Sequence, residues 1–184
     1  LGCDIVTSLD VCNNKIGAAI TATTDVSPSL ETRIVAGSTN TPSYQVNNNT
    51  VTTGTEVITT AAFTPHGMPP GGQFNYNTHL NLGQAAIEGF DLDVLGSFCQ
   101  IIGNTGVYSG FEYKVGDGGQ SGSRDIIFAL NTSYSTALTA AFSLRSSCIA
   151  YGNVAYNPKT YGLFITPSSD TDALIAKSHL NISG

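Results

Sequence analysis

Charge is what this chain has least of. Seven Lys and Arg and 13 Asp and Glu make up 11% of the 184 residues and leave a formal net charge of −6. Seven scattered cations on an acidic background cannot follow a phosphate backbone, so nucleic acid is excluded as a partner. Disorder is excluded as well, because it pairs low hydrophobicity with high net charge, whereas here 41% of residues are apolar. Tryptophan is absent, which weakens a sugar cleft built on broad aromatic platforms, although eight tyrosines remain. No apolar run reaches about eighteen residues, so neither a membrane span nor a retained signal core is expected. Walker loops, G-x-G-x-x-G, H-E-x-x-H and C-x-x-C spacings are all missing, and no metal or cofactor is expected.

Neutral polar residues fill the place of charge: 22 Thr, 18 Ser and 14 Asn. A chain of this length suits one domain with a real core. It begins at Leu1 without an initiator Met, which fits a processed, exported form. Four cysteines suit two disulfides. Cys3 and Cys12 lie close together, and Cys99 and Cys148 sit in strand-like segments, so Cys3–Cys12 and Cys99–Cys148 are the favoured pairs; four buried thiols in a cytosolic protein is the plainer alternative. Three N-x-[ST] sequons, at Asn48, Asn131 and Asn181, add to the export argument and predict N-linked glycans on solvent-facing amides.

The dominant periodicity is two, the mark of half-buried strands. Phe74, Tyr76, Thr78, Leu80 and Leu82 alternate with Gln73, Asn75, Asn77, His79 and Asn81, which predicts one long strand with a polar, solvated side. Phe90, Leu92 and Val94 alternate with Asp91 and Asp93. Phe111, Tyr113 and Val115 alternate with Glu112 and Lys114, and Leu138–Leu144 repeats the pattern. Further candidates are 16–24, 32–36, 50–63, 98–102, 125–130, 148–156 and 161–165. Glycine- and proline-rich breaks fall at Pro65–Gly72 and Gly116–Gly122. Only Ser169–His179 reads as helix, with Ser169 as N-cap. No internal repeat stands out. Ten or eleven short strands predict an all-β, two-sheet sandwich of jelly-roll or Ig-like type spanning 25–184, preceded by an N-terminal segment, 1–24.

The candidate chemistry is thin. His66, His79 and His179 occupy a loop, the polar side of a strand and a helix end; none forms a metal-binding spacing, and solvent is the expected partner of His79. Asp91 and Asp93, with Glu88 nearby, share a strand face and offer an acid–base pair or a Ca²⁺ site, yet a solvated strand side explains them more simply. Gly119-Gln120-Ser121-Gly122-Ser123 lacks the final glycine and the helix of a nucleophile elbow. Lys114 beside Glu112 reads as a surface ion pair. The chain is therefore read as a non-enzymatic, exported subunit of an extracellular filament, pilus-like thread or surface assembly, a homopolymer placed outside the cell or at its surface. In broad composition it is similar to filament subunits that join by strand exchange. The proposed donor is Ile16, Ala18, Ile20 and Ala22, whose side chains would fill a neighbour's groove; the simpler reading makes this the first edge strand of its own sheet. The alternative function is a secreted lectin-like module using the Pro65–Gly72 and Gly116–Ser123 loops, and a small hydrolase built on Asp91 comes third. With so few titrating groups, stability is expected to change little between about pH 4 and 8.

Overall fold

A computed structural model describes residues 8–17, 30–33, 43–53, 62–66, 68, 70–82, 88–93, 98–114, 126–144, 148–165 and 177–183. Among the described residues there is no helix. The strands come in successive coils. β1 (Ser8–Cys12), β2 (Lys15–Gly17) and β3 (Leu30–Arg33) form the first, and β4 (Ser43–Asn47), β5 (Thr50–Thr53) and β6 (Phe63–His66) the second. β7 (Gln73–Asn75), β8 (Thr78–Asn81) and β9 (Glu88–Asp93) make the third. β10 (Gln100–Ile102), β11 (Thr105–Val107) and β12 (Gly110–Lys114) follow, then β13 (Ile126–Ala129), β14 (Thr132–Tyr134) and β15 (Ala140–Leu144). β16 (Cys148–Tyr156) and β17 (Tyr161–Ile165) make a sixth coil, and β18 (Lys177–Ser183) begins a seventh.

Each strand pairs in parallel with its equivalent one coil away. β3, β6, β9, β12, β15 and β17 form a six-stranded sheet, and the other twelve strands form the second. That larger sheet has two faces, one running β1–β4–β7–β10–β13 and one running β2–β5–β8–β11–β14; β16 pairs with both β13 and β14 and so joins them. This stacking is a parallel β-solenoid, and it replaces the expected sandwich of jelly-roll or Ig-like type. Alternation of apolar and polar residues reports a half-buried strand but carries no information on the direction of its partner. Tyr161–Ile165 and Cys148–Tyr156 have the expected bounds. The 1–24 boundary falls outside the described residues, while β1 and β2 stack on β4 and β5 as part of the same solenoid. Most of the expected helix also lies outside them, but Lys177–His179 are strand, in β18.

The interior is built of in-register columns. Val11, Val46, Phe74, Ile101, Phe128 and Ala150 stack along the first face, all buried. Facing them, Phe63, Phe90, Phe111 and Phe142 stack along the six-stranded sheet with ring centroids 5.0, 4.2 and 5.2 Å apart. Phe74 and Phe128 meet this column edge-on. Aromatic pairs at such distances add to the burial of their area by about 1 kcal/mol each.

The corners carry the signature of the fold. Asn13, Asn48, Tyr76, Gly103, Leu130 and Gly152 all have φ between 56° and 68°, and each immediately precedes an asparagine. A left-handed residue turns the chain sharply between the first and second faces, at roughly 1–2 kcal/mol for a residue with a Cβ. Size alternates along this corner. A Cβ on Gly103 would lie 2.6 Å from the Tyr76 ring, and one on Gly152 would lie 2.7 Å from Leu130 Cδ2, so each glycine leaves room for its large neighbour.

Candidate functional site

From the second corner onward, the asparagine after each corner turns inward, while Asn14 at the end of the row is exposed. Asn49, Asn77, Asn104, Asn131 and Asn153 are buried and form a continuous ladder, with steps of 28, 27, 27 and 22 residues. The Oδ1 of Asn104 accepts from the backbone N–H and the Nδ2 of Asn77, at 2.9 and 3.1 Å. Its Nδ2 donates to Phe74 O and to Asn131 Oδ1, at 2.9 and 3.0 Å. Asn77 and Asn131 repeat this pattern, and Asn14 donates into the first rung at Asn49 Oδ1. Buried amides are tolerable only when their donors and acceptors are met, and here each rung meets those of the next.

Two of the predicted glycan sites can be placed by side chain. Asn48 is exposed at a corner, as attachment requires. Asn131 is fully buried, and its Nδ2 is committed to Ile101 O and Asn153 Oδ1, each at 3.0 Å. A glycan on that nitrogen is incompatible with this place, which corrects the reading of Asn131 as solvent-facing. Asn181 lies in β18 opposite Val154, and its side chain is outside the described residues. Asn131-Thr132 is a ladder asparagine followed by the first residue of a strand, so the fold produces this sequon for its own reasons.

The cysteine pairing also changes. Ile127 N donates to Cys99 O, which continues the β10–β13 ladder back to Cys99 and Ile126. Ile126 in turn pairs with Cys148. Cys99 and Cys148 are therefore two strands apart, roughly 9–10 Å at about 4.8 Å per strand. A disulfide needs Cα atoms within about 7 Å, so the favoured Cys99–Cys148 bond is ruled out by the stacking. Cys99 is buried and Cys12 half-buried; Cys3 is outside the described residues.

His79 shows the largest departure from expectation. The left-handed Tyr76 inverts the in–out parity of the chain, so Asn77, His79 and Asn81 point inward, while Thr78 and Leu80 face outward. His79 is fully buried, with Nε2 3.0 Å from Thr53 Oγ1 and Nδ1 2.8 Å from Ser109 Oγ. One ring nitrogen donates and the other accepts, so a neutral imidazole clasps three successive coils. Burial lowers its pKa from 6.5 to about 4. Gly89 makes this possible, because a Cβ there would overlap Ser109 Oγ and lie 2.5 Å from His79 Nδ1. A Ser–His contact of this length is what a nucleophile and its base require, but Thr53, His79 and Ser109 are sealed from solvent, and the contact acts as a clasp.

The remaining candidates are dispersed. Asp91 is half-buried on β9 with Glu88 and Asp93, and the register sets it opposite Glu112, with Lys114 opposite Asp93. Among the described residues no group of three His, Cys, Asp or Glu is placed to hold a metal ion, and no helix is long and apolar enough to cross a membrane. Of the lectin loops, Pro65 and His66 belong to β6, Met68 is buried in the core, and Gly116–Ser123 lies outside the described residues. Ile16 of the proposed donor segment lies in β2 and pairs with Val51, so it is an edge strand of its own sheet; Ala18, Ile20 and Ala22 are outside the described residues. Sequence reasoning missed the ladder, although Asn49-Thr50, Asn77-Thr78, Asn104-Thr105 and Asn131-Thr132 recur at near-constant spacing.

No protein-family profile, no curated protein and no solved structure matches this chain.

Proposed function

We propose that the chain is a structural building block of an extracellular or cell-surface assembly, which grows by adding coils at its end edges. The observation that carries this reading is the in-register parallel stacking itself. Among the described residues β1, β2 and β3 each pair on one side only, and their other side offers the same hydrogen-bonding pattern that joins coils inside the molecule. Such an edge is a template for another strand. A second copy supplies the matching coil, so the strand addition foreseen for the N-terminal segment becomes edge-to-edge stacking. Low charge supports close repetition, since copies stack without aligning like charges, and hydroxyl and amide groups bond equally well at any pH. Placement outside the cell rests on the exposed Asn48 sequon and on the low-charge, Thr/Ser/Asn-rich composition.

The test is assembly of the intact chain over graded concentrations, followed by sedimentation velocity and electron microscopy. Asn13 N donates to Asn47 O, so the alternating N–H groups of Val11 and Leu9 face β4, and that of Asp10 faces the free edge. Asp10→Pro removes a donor from that edge alone. The expected result is filaments or long oligomers from the parent chain and monomers from the variant, with unchanged circular dichroism. A parent chain that stays monomeric at high concentration overturns the reading.

A further inference from the structure

From β5 to β16 the outward side of the second face carries no charge; ahead of that stretch the exposed Lys15 of β2 stands in register with Thr50. Two columns of residues run along it, one on each outward position of its strands. The first is Thr50, Thr78, Thr105 and Thr132, followed by Val154; in the second, Thr52, Leu80 and Val107 lead to Tyr134 and Tyr156. The two tyrosines are 43% and 50% exposed, with ring centroids 6.0 Å apart and planes tilted by 54°.

We propose that this face binds an uncharged glycan chain laid along the solenoid axis. Tyrosine rings offer an apolar surface for the C–H faces of sugars, and their phenolic oxygens offer a polar edge. Beside them the threonine column presents a row of hydroxyls that donate and accept, which matches the hydroxyls of a sugar ring. The threonine column repeats over four coils at the strand spacing of about 4.8 Å, the scale of a single sugar unit, so its hydroxyls meet successive units. The ligand is therefore a polymer rather than a small saccharide. Charge complementarity selects its class: the uncharged stretch from β5 to β16, on a chain of net charge −6, gains nothing from an anionic polymer and dehydrates no ion when a neutral one docks. A second copy of the chain fits less well, because five strands with two outward positions each fall short of the roughly 20–30 residues a side of a standard protein interface. The end edges stay free, so this inference does not rest on the assembly reading.

The test is affinity electrophoresis of the intact chain in native gels containing hydroxyethyl cellulose, mixed-linkage β-glucan or galactomannan, with polygalacturonate as the anionic control. At least one neutral polymer should retard the chain, and polygalacturonate should not. The double variant Tyr134→Ala/Tyr156→Ala should weaken that binding at least tenfold with circular dichroism unchanged. Tyr161→Ala, an exposed tyrosine of the six-stranded sheet, should leave it intact. Thr105→Lys should also weaken binding while keeping both rings. Absence of retardation by every neutral polymer, equal retardation by the anionic one, or indifference to the double variant would each overturn the proposal. So would a double variant that lost self-association in sedimentation while the parent bound no glycan, because the occupant would then be a second copy.

Discussion

Asn131 heads the triplet Asn131-Thr132-Ser133, and two chemistries compete for its amide. Glycan attachment needs Nδ2 free in solvent, whereas the ladder commits it to two buried acceptors. Asn131→Gln displaces the amide by one methylene, leaves Asn104 N and Ile101 O without these partners, and takes one hydrogen bond each from Asn104 Nδ2 and Asn153 Oδ1. Each buried orphan costs about 1–3 kcal/mol, so the variant should lose about 3–5 kcal/mol in denaturant unfolding, in any host. Asn48→Gln sits exposed at the corner, and its cost should stay near 1 kcal/mol, set by left-handed strain alone. Equal losses at the two sites would remove the ladder's claim to a special role. His79 supplies the second test at this scale. Its unfolded pKa is 6.5 and its folded pKa about 4, so below pH 6.5 the unfolded chain takes up a proton that the folded chain refuses. The stability from the neutral ring is complete above about pH 6.5, drains away as pH falls towards 4, and is lost below that. The change is about 3 kcal/mol, at 1.36 kcal/mol for each pH unit between the two values. This replaces the expected flat profile between pH 4 and 8. Chemical denaturation at pH 7, 5.5 and 4 should reveal the slope, and His79→Gln should remove its part of it.

At the scale of the element, strands were legible and their company was not. Phe90, Phe111 and Phe142 were readable as inward residues, because within one strand parity holds and the three stack as that reading requires. Parity fails across a corner: a single left-handed residue, Tyr76, reverses which side is in, and a polar row that looked solvated became Asn77, His79 and Asn81 inside the core. Nothing in the alternation of Gln73–Leu82 announces that reversal, because tyrosine rarely adopts positive φ. The recurring Asn-Thr pair was the available signal, obscured by coil lengths that vary between 22 and 35 residues. Gly89 tests how tightly the elements are fitted around the clasp. Gly89→Ala drives a methyl group into Ser109 Oγ on the neighbouring coil, and overpacking of this kind costs roughly 1–3 kcal/mol. The double variant Gly89→Ala/Ser109→Gly removes the overlap with Ser109 along with its hydrogen bond to His79, leaving only the 2.5 Å approach to His79 Nδ1. If the steric account holds, the two changes are non-additive, and the Gly89 substitution costs less in the Ser109→Gly background than in the parent. Additive losses in a double-mutant cycle of thermal melts would place the cost of Gly89→Ala elsewhere.

The whole molecule behaves as a stack in one dimension, since each strand hydrogen-bonds to its equivalents in adjacent coils. Stability in such a stack is a sum over coils and the interfaces between them, and that makes the unit of deletion a complete coil. Removing residues 77–103 takes out the 27 residues between two ladder asparagines and joins the left-handed Tyr76 directly to Asn104. Asn49 then meets Asn104 in place of Asn77, and Phe63 meets Phe111 in place of Phe90. The shortened chain should fold cooperatively, with a lower midpoint and a denaturant slope reduced by roughly 15%, in proportion to the surface removed. It also lacks His79, so its stability should vary less between pH 4 and 6.5 than that of the parent. Removing residues 91–103 alone joins β9 to β11 and sets a strand of the six-stranded sheet where a corner belongs. That chain should show no cooperative transition, although it has lost fewer residues. If the half-coil deletion unfolds as cooperatively as the full-coil one, the ladder does not set the unit of folding.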